Sequence, residues 1–303
     1  MRSPGGTLRL MLVIALIPVL ADGAMLWRGR FAVLTSLLAL YHSITQFCRH
    51  AVTPGAVEVA TGLVAGGVVL GGLVAIRGAQ SLQRRCSATR RQVARLLLAG
   101  TAAWPRSLAT MVHELGLTEH VTLVQADAPL ACCAGLWRPR ILVSTGLVNL
   151  LTPAELSAVL LHEEYHRRHH EPSRMLLVAV LADAFSFLPL LGELRARYEA
   201  AKECAADAAA VAAQHDVAPL AGALYKLLSC GRPEAEFHGL AIGRLSVTER
   251  RIERLLTPTP TPLPALSPGG LIATSLVLVA AVLPVVPIAV VSVQPLLDTC
   301  RHS

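Results

Sequence analysis

The chain predicts a mostly α-helical membrane protein: four transmembrane helices plus a cytosolic α+β domain with a small sheet. Three observations carry that reading. Hydrophobic residues make up 53% of the chain, above the share of an ordinary soluble domain, so part of it belongs in lipid. Four apolar stretches approach the length that a bilayer crossing requires. Between the third and fourth, short β-type runs stand among longer segments of helical periodicity.

The apolar stretches are 10–27, broken only by Asp22, and a weaker one at 31–47. A third, rich in Gly, Val and Leu, runs over 56–76 with Glu58 near its start, and a fourth over 269–293 contains Pro284 and Pro287. The first also fits a signal peptide, since Ala-Asp-Gly-Ala follows its core, but further spans come directly after it. Arg77, Arg84, Arg85, Arg90, Arg91 and Arg95 crowd the end of the third. Such charge stays on the cytosolic side. Residues 1–76 then supply three crossings and 77–256 a cytosolic domain. A proline-rich linker at 257–268, a fourth crossing at 269–293 and a short external tail at 294–303 follow. Arg28 and Arg30 fall in an inner turn, as the rule prefers; Arg2 and Arg9 fall outside, against it. The expected location is a cell membrane, crossed several times, with the 77–256 domain on its cytosolic side.

The net charge of +7 permits a nucleic-acid partner. No DNA-binding motif or aromatic platform accompanies the arginines, however. Anchoring to an anionic inner leaflet explains them. Membrane lipid is the expected partner, and direct nucleic-acid contact is not.

Within 77–256, Val93, Leu96, Leu97, Leu98, Leu108, Met111, Val112 and Leu115 recur at helical spacing, predicting a helix over 92–118. Residues 121–126, 131–136 and 141–143 read as short strands, the last two around Trp137-Arg138-Pro139. The 131–136 strand is a candidate edge along which a peptide adds its own strand; equally, it only covers a helix. Met175–Leu191 is apolar enough to suggest a fifth span, but Asp183, Ser186 and Pro189 interrupt it and it is short. A buried or membrane-dipping segment over 175–191 is the expectation.

The chemistry concentrates at His162-Glu163-Glu164-Tyr165-His166, an H-E-x-x-H pattern. On a helix, residues four apart share a face, so both imidazoles can reach one Zn²⁺ while Glu163 carries a proton for an activated water. Thr152-Pro153-Ala154-Glu155 precedes it with N-cap, first-turn proline and capping-box glutamate in agreement. Pro172 is expected to stop this helix. The basic run Arg167-Arg168-His169-His170 is otherwise an ordinary solvated face.

A catalytic zinc takes a third protein ligand. Glu203, in the alanine-rich stretch after Tyr198, supplies it, and Glu199 one turn away competes. Asp207 shares the face of Glu203 and suits an orienting hydrogen bond to a ligand imidazole. Cys204 points around the helix from Glu203 and reads as a packing residue. The seven cysteines show no zinc-ribbon spacing, and those in the cytosolic region stay reduced.

H-E-x-x-H followed by E-x-x-A-D resembles membrane-embedded zinc metallopeptidases of the gluzincin type. Two groups share it: the BlaR/MecR-type transducers, and the HtpX and CAAX-prenyl-protease families. Gly135-Leu136-Trp137-Arg138-Pro139-Arg140-Ile141-Leu142-Val143-Ser144, then Thr152-Pro153-Ala154-Glu155-Leu156, is similar to the BlaR/MecR-type sequence, over roughly 30–256. The resemblance implies a gluzincin-like zinc peptidase domain holding one Zn²⁺ on His162, His166 and Glu203, with Glu163 as base. Thr248–Leu256 resembles an E-R-I-x-x-L element, by which Arg251 approaches the site and shares oxyanion charge. The prenyl-protease histidine upstream of that arginine is replaced by Leu245, and His238 is the nearest spare. The transducers carry a penicillin-binding sensor after the fourth span, and this chain, ending at Ser303, is expected to lack it. The implied activity is zinc-dependent endopeptidase cleavage of a protein or peptide near the inner membrane face. The implied substrate is a cytosolic transcriptional repressor or the protein itself. Alternatives are an HtpX-like quality-control protease and a non-catalytic membrane signalling scaffold; an intact Glu163 speaks against the last. The oligomeric state is open.

Overall fold

The structure is a computed structural model describing residues 6–7, 10–11, 13–14, 54–98, 100–230, 245–257 and 263–282. The expected span at 31–47, nearly all of that at 10–27, residues 258–262 of the linker, 283–293 of the fourth span, the 294–303 tail and His238 lie outside the described residues. The chain divides into two compact units. One comprises residues 1–7, 81–180 and 195–265, the other 8–80, 181–194 and 266–303. Helices dominate, with one small sheet.

Helix α1 runs from Pro54 to Leu98 and contains the expected third span. Among the described residues it alone is long and apolar enough to cross a membrane. Part of the fourth expected span is described as α9, Pro268–Val282, a shorter apolar helix without a charged residue. Four crossings are therefore not established. In the second unit, Ser267 Oγ caps α9 by accepting from Gly270 N at 2.9 Å. Leu190 N donates to Thr274 Oγ1 at 3.2 Å.

In the first unit the expected single helix over 92–118 is interrupted. Gly100 takes φ +98°, a left-handed value that a glycine adopts freely and that ends helices. Thr101 bridges to Val124, and Pro105 precedes a new helix, α2, Arg106–Glu114. Three strands follow: β1 Val121–Val124, β2 Ala131–Ala134 and β3 Arg140–Ser144. Their order is β1-β3-β2, with β3 parallel to β1 and antiparallel to β2. β2 thus lies at an edge of this sheet. The β2–β3 turn needs Gly135, which has φ +107° and whose added Cβ would meet Arg138 O at 2.8 Å.

Alternation along the strands divides two cores. Ile141 and Val143 pack with Leu108, Val112, Leu123, Leu156, Val159 and Leu160 on one face. Leu142 packs with Leu96, Val124, Cys132 and Ala134 on the other. Short helix α3, Thr145–Leu150, leads to α4, Pro153–Arg168, which lies on the first face. α4 ends earlier than expected: His169 caps it, His170 turns at φ +50°, and Pro172 sits inside the first turn of α5, Glu171–Ala184. Proline is tolerated there because early helical N–H groups are unpaired anyway. A turn leads to Pro189, which opens α6, Pro189–Gln214. The 175–191 segment is therefore helix, turn and helix start. Helices α7, Ala218–Ser229, and α8, Leu245–Leu256, complete the described unit.

Candidate metal centre

Helix α4 is fixed at its start as the sequence predicts. Thr152 N donates to Glu155 Oε2 at 2.7 Å, and Glu155 N donates to Thr152 Oγ1 at 3.4 Å. Lys226 of α7 clamps the same carboxylate, Nζ to Oε2 at 2.7 Å. Leu156, Val159 and Leu160 bury the helix against the sheet, and this turns His162, Glu163 and His166 into the protein, all buried. Glu164 is buried too, tied to Arg167 (Nε–Oε2 2.5 Å) and Arg168 (Nε–Oε1 2.6 Å). The basic run is thus partly paired.

The long alanine-rich α6 brings Glu203 and Asp207 to the same place from a face one turn deep. His162 and His166 approach Nε2 to Nε2 at 3.1 Å. Glu203 Oε2 lies 3.5 Å from His162 Nε2, and its Oε1 lies 3.7 Å from His166 Nε2. Two imidazole nitrogens and a carboxylate oxygen around one tetrahedral Zn²⁺, at about 2.0–2.2 Å each, stand about 3.3 Å apart. The two imidazole nitrogens stand at about that spacing, each faces one Glu203 oxygen slightly beyond it, and the three residues form a group able to hold a metal ion, their ligand atoms within 4.8 Å of one another. Glu203 Oε2 is also buried without a hydrogen-bond donor, as suits an atom meant for a cation. Glu199 lies apart, accepting from Arg195 Nε at 2.9 Å.

A second ring of contacts orients these groups. His162 Nδ1 lies 3.0 Å from Asp207 Oδ1, a pairing that puts the proton on Nδ1 and leaves Nε2 free for a metal. Arg251 of α8 is fully buried. It forks onto Asp207, Nη2 to Oδ1 at 2.5 Å and Nε to Oδ2 at 2.9 Å, while Nη1 stands 3.2 Å from Glu203 Oε2. Arg251 thus faces inward from α8, while Glu253 on the same helix is exposed. Cys204 packs inward, its Sγ donating to Ala200 O at 2.9 Å and meeting Arg254; it does not join the ligand group.

Electrostatics follow from burial and these partners. Burial and the Arg251 charge press His162 downward, yet hydrogen bonds to Asp207 and Glu203 outweigh them and lift it to about 9. Burial holds His166 well below the usual imidazole range, so it presents a neutral ring. Glu203 resists its burial because Lys202 and Arg251 keep it ionised, well below the usual carboxylate range. Burial pushes Glu163 above the usual carboxylate range. Burial, with a smaller contribution from the Glu163 charge, also raises the Cys132 and Cys133 thiols on β2, which stay protonated.

Sequence reasoning missed Lys202, whose Nζ donates to Glu203 Oε1 at 2.8 Å. The available signal was its position, a charge directly beside a ligand on a helix that must be buried there. A family model described as BlaR1 peptidase M56 matches residues 39–254, a range that includes every member of the ligand group. The match supports a membrane-associated metallopeptidase. Matched over most of its length, and with two histidines and a glutamate gathered at ligand spacing, the chain belongs to the BlaR1 peptidase M56 family.

Proposed function

We propose that the protein is an integral-membrane zinc-dependent endopeptidase that cleaves peptide bonds near the inner membrane face. The carrying observation is the triangle of His162, His166 and Glu203 beside the buried Glu163. A bound Zn²⁺ supplies a Lewis acid that polarises a peptide carbonyl and acidifies water. Glu163 takes the water proton and delivers it to the departing amine. Asp207 fixes the tautomer of His162, and Arg251 fixes Asp207. Arg251, whose Nη1 stands 3.2 Å from Glu203 Oε2, places positive charge beside the ligand group, where it can share charge developing on the substrate oxygen. The edge of β2 supports a peptide bound as an added strand.

The substrate class we favour is a cytosolic transcriptional repressor, or the protein itself, in signalling across a bacterial plasma membrane. The test compares the full chain with its Glu163→Gln variant in cells and catalogues protein fragments. A small DNA-binding protein cut only by the unaltered chain supports the signalling role. Fragments of misfolded membrane proteins instead point to quality control, and identical catalogues leave only a scaffold.

A further inference from the structure

Lys202 has no role in the chemistry described so far, yet it holds one atom of the ligand set. Its Nζ donates to Glu203 Oε1 at 2.8 Å. The two oxygens of Glu203 otherwise face the imidazoles almost equally, Oε2 at 3.5 Å from His162 and Oε1 at 3.7 Å from His166. Each oxygen faces one cation, but only the ammonium hydrogen-bonds its oxygen: Lys202 holds Oε1, whereas Arg251 pairs with Oε2 at 3.2 Å without a hydrogen bond. Oε2 therefore has no hydrogen bond to give up on binding a metal, and Oε1 has one.

A carboxylate binds zinc through one oxygen or through both. Binding through both fills the position that a catalytic site keeps open. An ammonium next to a ligand oxygen also repels a divalent ion, so a lysine here works against metal affinity. A residue serving only to retain the metal would not be a cation.

We propose that Lys202 is a positioning residue that restricts Glu203 to one-oxygen ligation and thereby keeps a coordination position free for water and substrate. This rests on the metallopeptidase reading of the site. The experiment uses the full chain in detergent micelles, stripped with a chelator and reloaded with Zn²⁺ or Co²⁺, as wild type, Lys202→Met and Lys202→Arg. Zinc affinity is read by competition with a chromophoric chelator, geometry by the Co²⁺ electronic spectrum, and the open position by titration with acetohydroxamate. In Lys202→Met, zinc affinity is expected to hold or rise. Acetohydroxamate affinity falls on the order of 10–100-fold, and the Co²⁺ bands weaken toward a five-coordinate pattern. Lys202→Arg restores the four-coordinate spectrum. Parallel loss of metal and acetohydroxamate in Lys202→Met overturns the assignment, because the lysine then merely holds the site together. Wild-type acetohydroxamate affinity in that variant overturns it as well. Failure of the wild-type chain to take up either metal sinks the metallopeptidase reading, and this assignment with it.

Discussion

Asp207 Oδ1 stands 3.0 Å from His162 Nδ1 and 2.5 Å from Arg251 Nη2, so one carboxylate joins a ligand on α4 to a cation on α8. Asp207→Asn keeps the shape and removes the charge that selects the His162 tautomer. Zinc affinity is expected to fall about 10–100-fold, measured by chelator competition on the full chain. Unchanged affinity would show that the pairing does not orient the ring.

The opposite end of that bridge is a stability element. Arg251→Met leaves Asp207 buried with only His162 as partner, and removing one member of a buried pair costs about 3–5 kcal/mol. Chemical denaturation of the metal-free protein should register a loss of that order. Arg251→Lys should not restore it, since an ammonium cannot reproduce the two-pronged contact.

Glu163→Gln is expected to lower turnover by at least about 10²-fold while zinc stoichiometry stays at the wild-type value. Glu163 stands beside the ligands without being one of them. Loss of metal in this variant would contradict that separation.

Metal uptake should depend on pH through His162. Its proton in the metal-free protein is held up to about 9, and a ligand imidazole must be neutral. Zinc binding at pH 7 therefore releases a proton, and apparent affinity climbs with pH until about 9. Calorimetry in two buffers of different ionisation enthalpy counts the protons released. The sign for stability is opposite. The folded-state value lies above that of a free imidazole, so the contribution to the metal-free fold is complete below pH 6.5 and disappears as pH rises through 9. Denaturant midpoints across pH 6–10 with chelator present check it.

Gly135→Ala forces a Cβ to within 2.8 Å of Arg138 O at a φ of +107°. Crowding and strain together are expected to cost about 1–3 kcal/mol, seen as a lower melting temperature. Gly116→Ala, with open space around the added carbon, isolates the backbone contribution alone.

Local chemistry was the legible part of this chain. The capping box at Thr152 and Glu155 follows from side chains reaching nearby backbone, and both of its bonds are present. The face shared by His162 and His166, and that shared by Glu203 and Asp207, follow from helical spacing. What stayed hidden depends on neighbours distant in sequence. Gly100 lies inside an apolar periodicity that continues through it, and only its pairing of Thr101 with Val124 fixes the break. Pro172 reads as a stop but serves a second helix, because the reversal is made by His170. The target of Arg251 is set by the meeting of α8 with α6, which no spacing within either helix encodes. Lys202 resembles a solvent-facing charge until its helix is packed beside α4.

Helix α1 holds 45 residues, a length of about 68 Å at 1.5 Å each, more than twice the roughly 30 Å hydrocarbon thickness of a bilayer. No placement lets lipid cover the whole rod. In a bilayer-crossing placement at least half of it would stand outside the hydrocarbon, and the six arginines from Arg77 to Arg95 all lie in its second half. Its far end is not free, since Val93 and Leu96 are seated against Cys132 and Ala134 of the sheet. The last turns of the rod therefore belong to the core that holds β2.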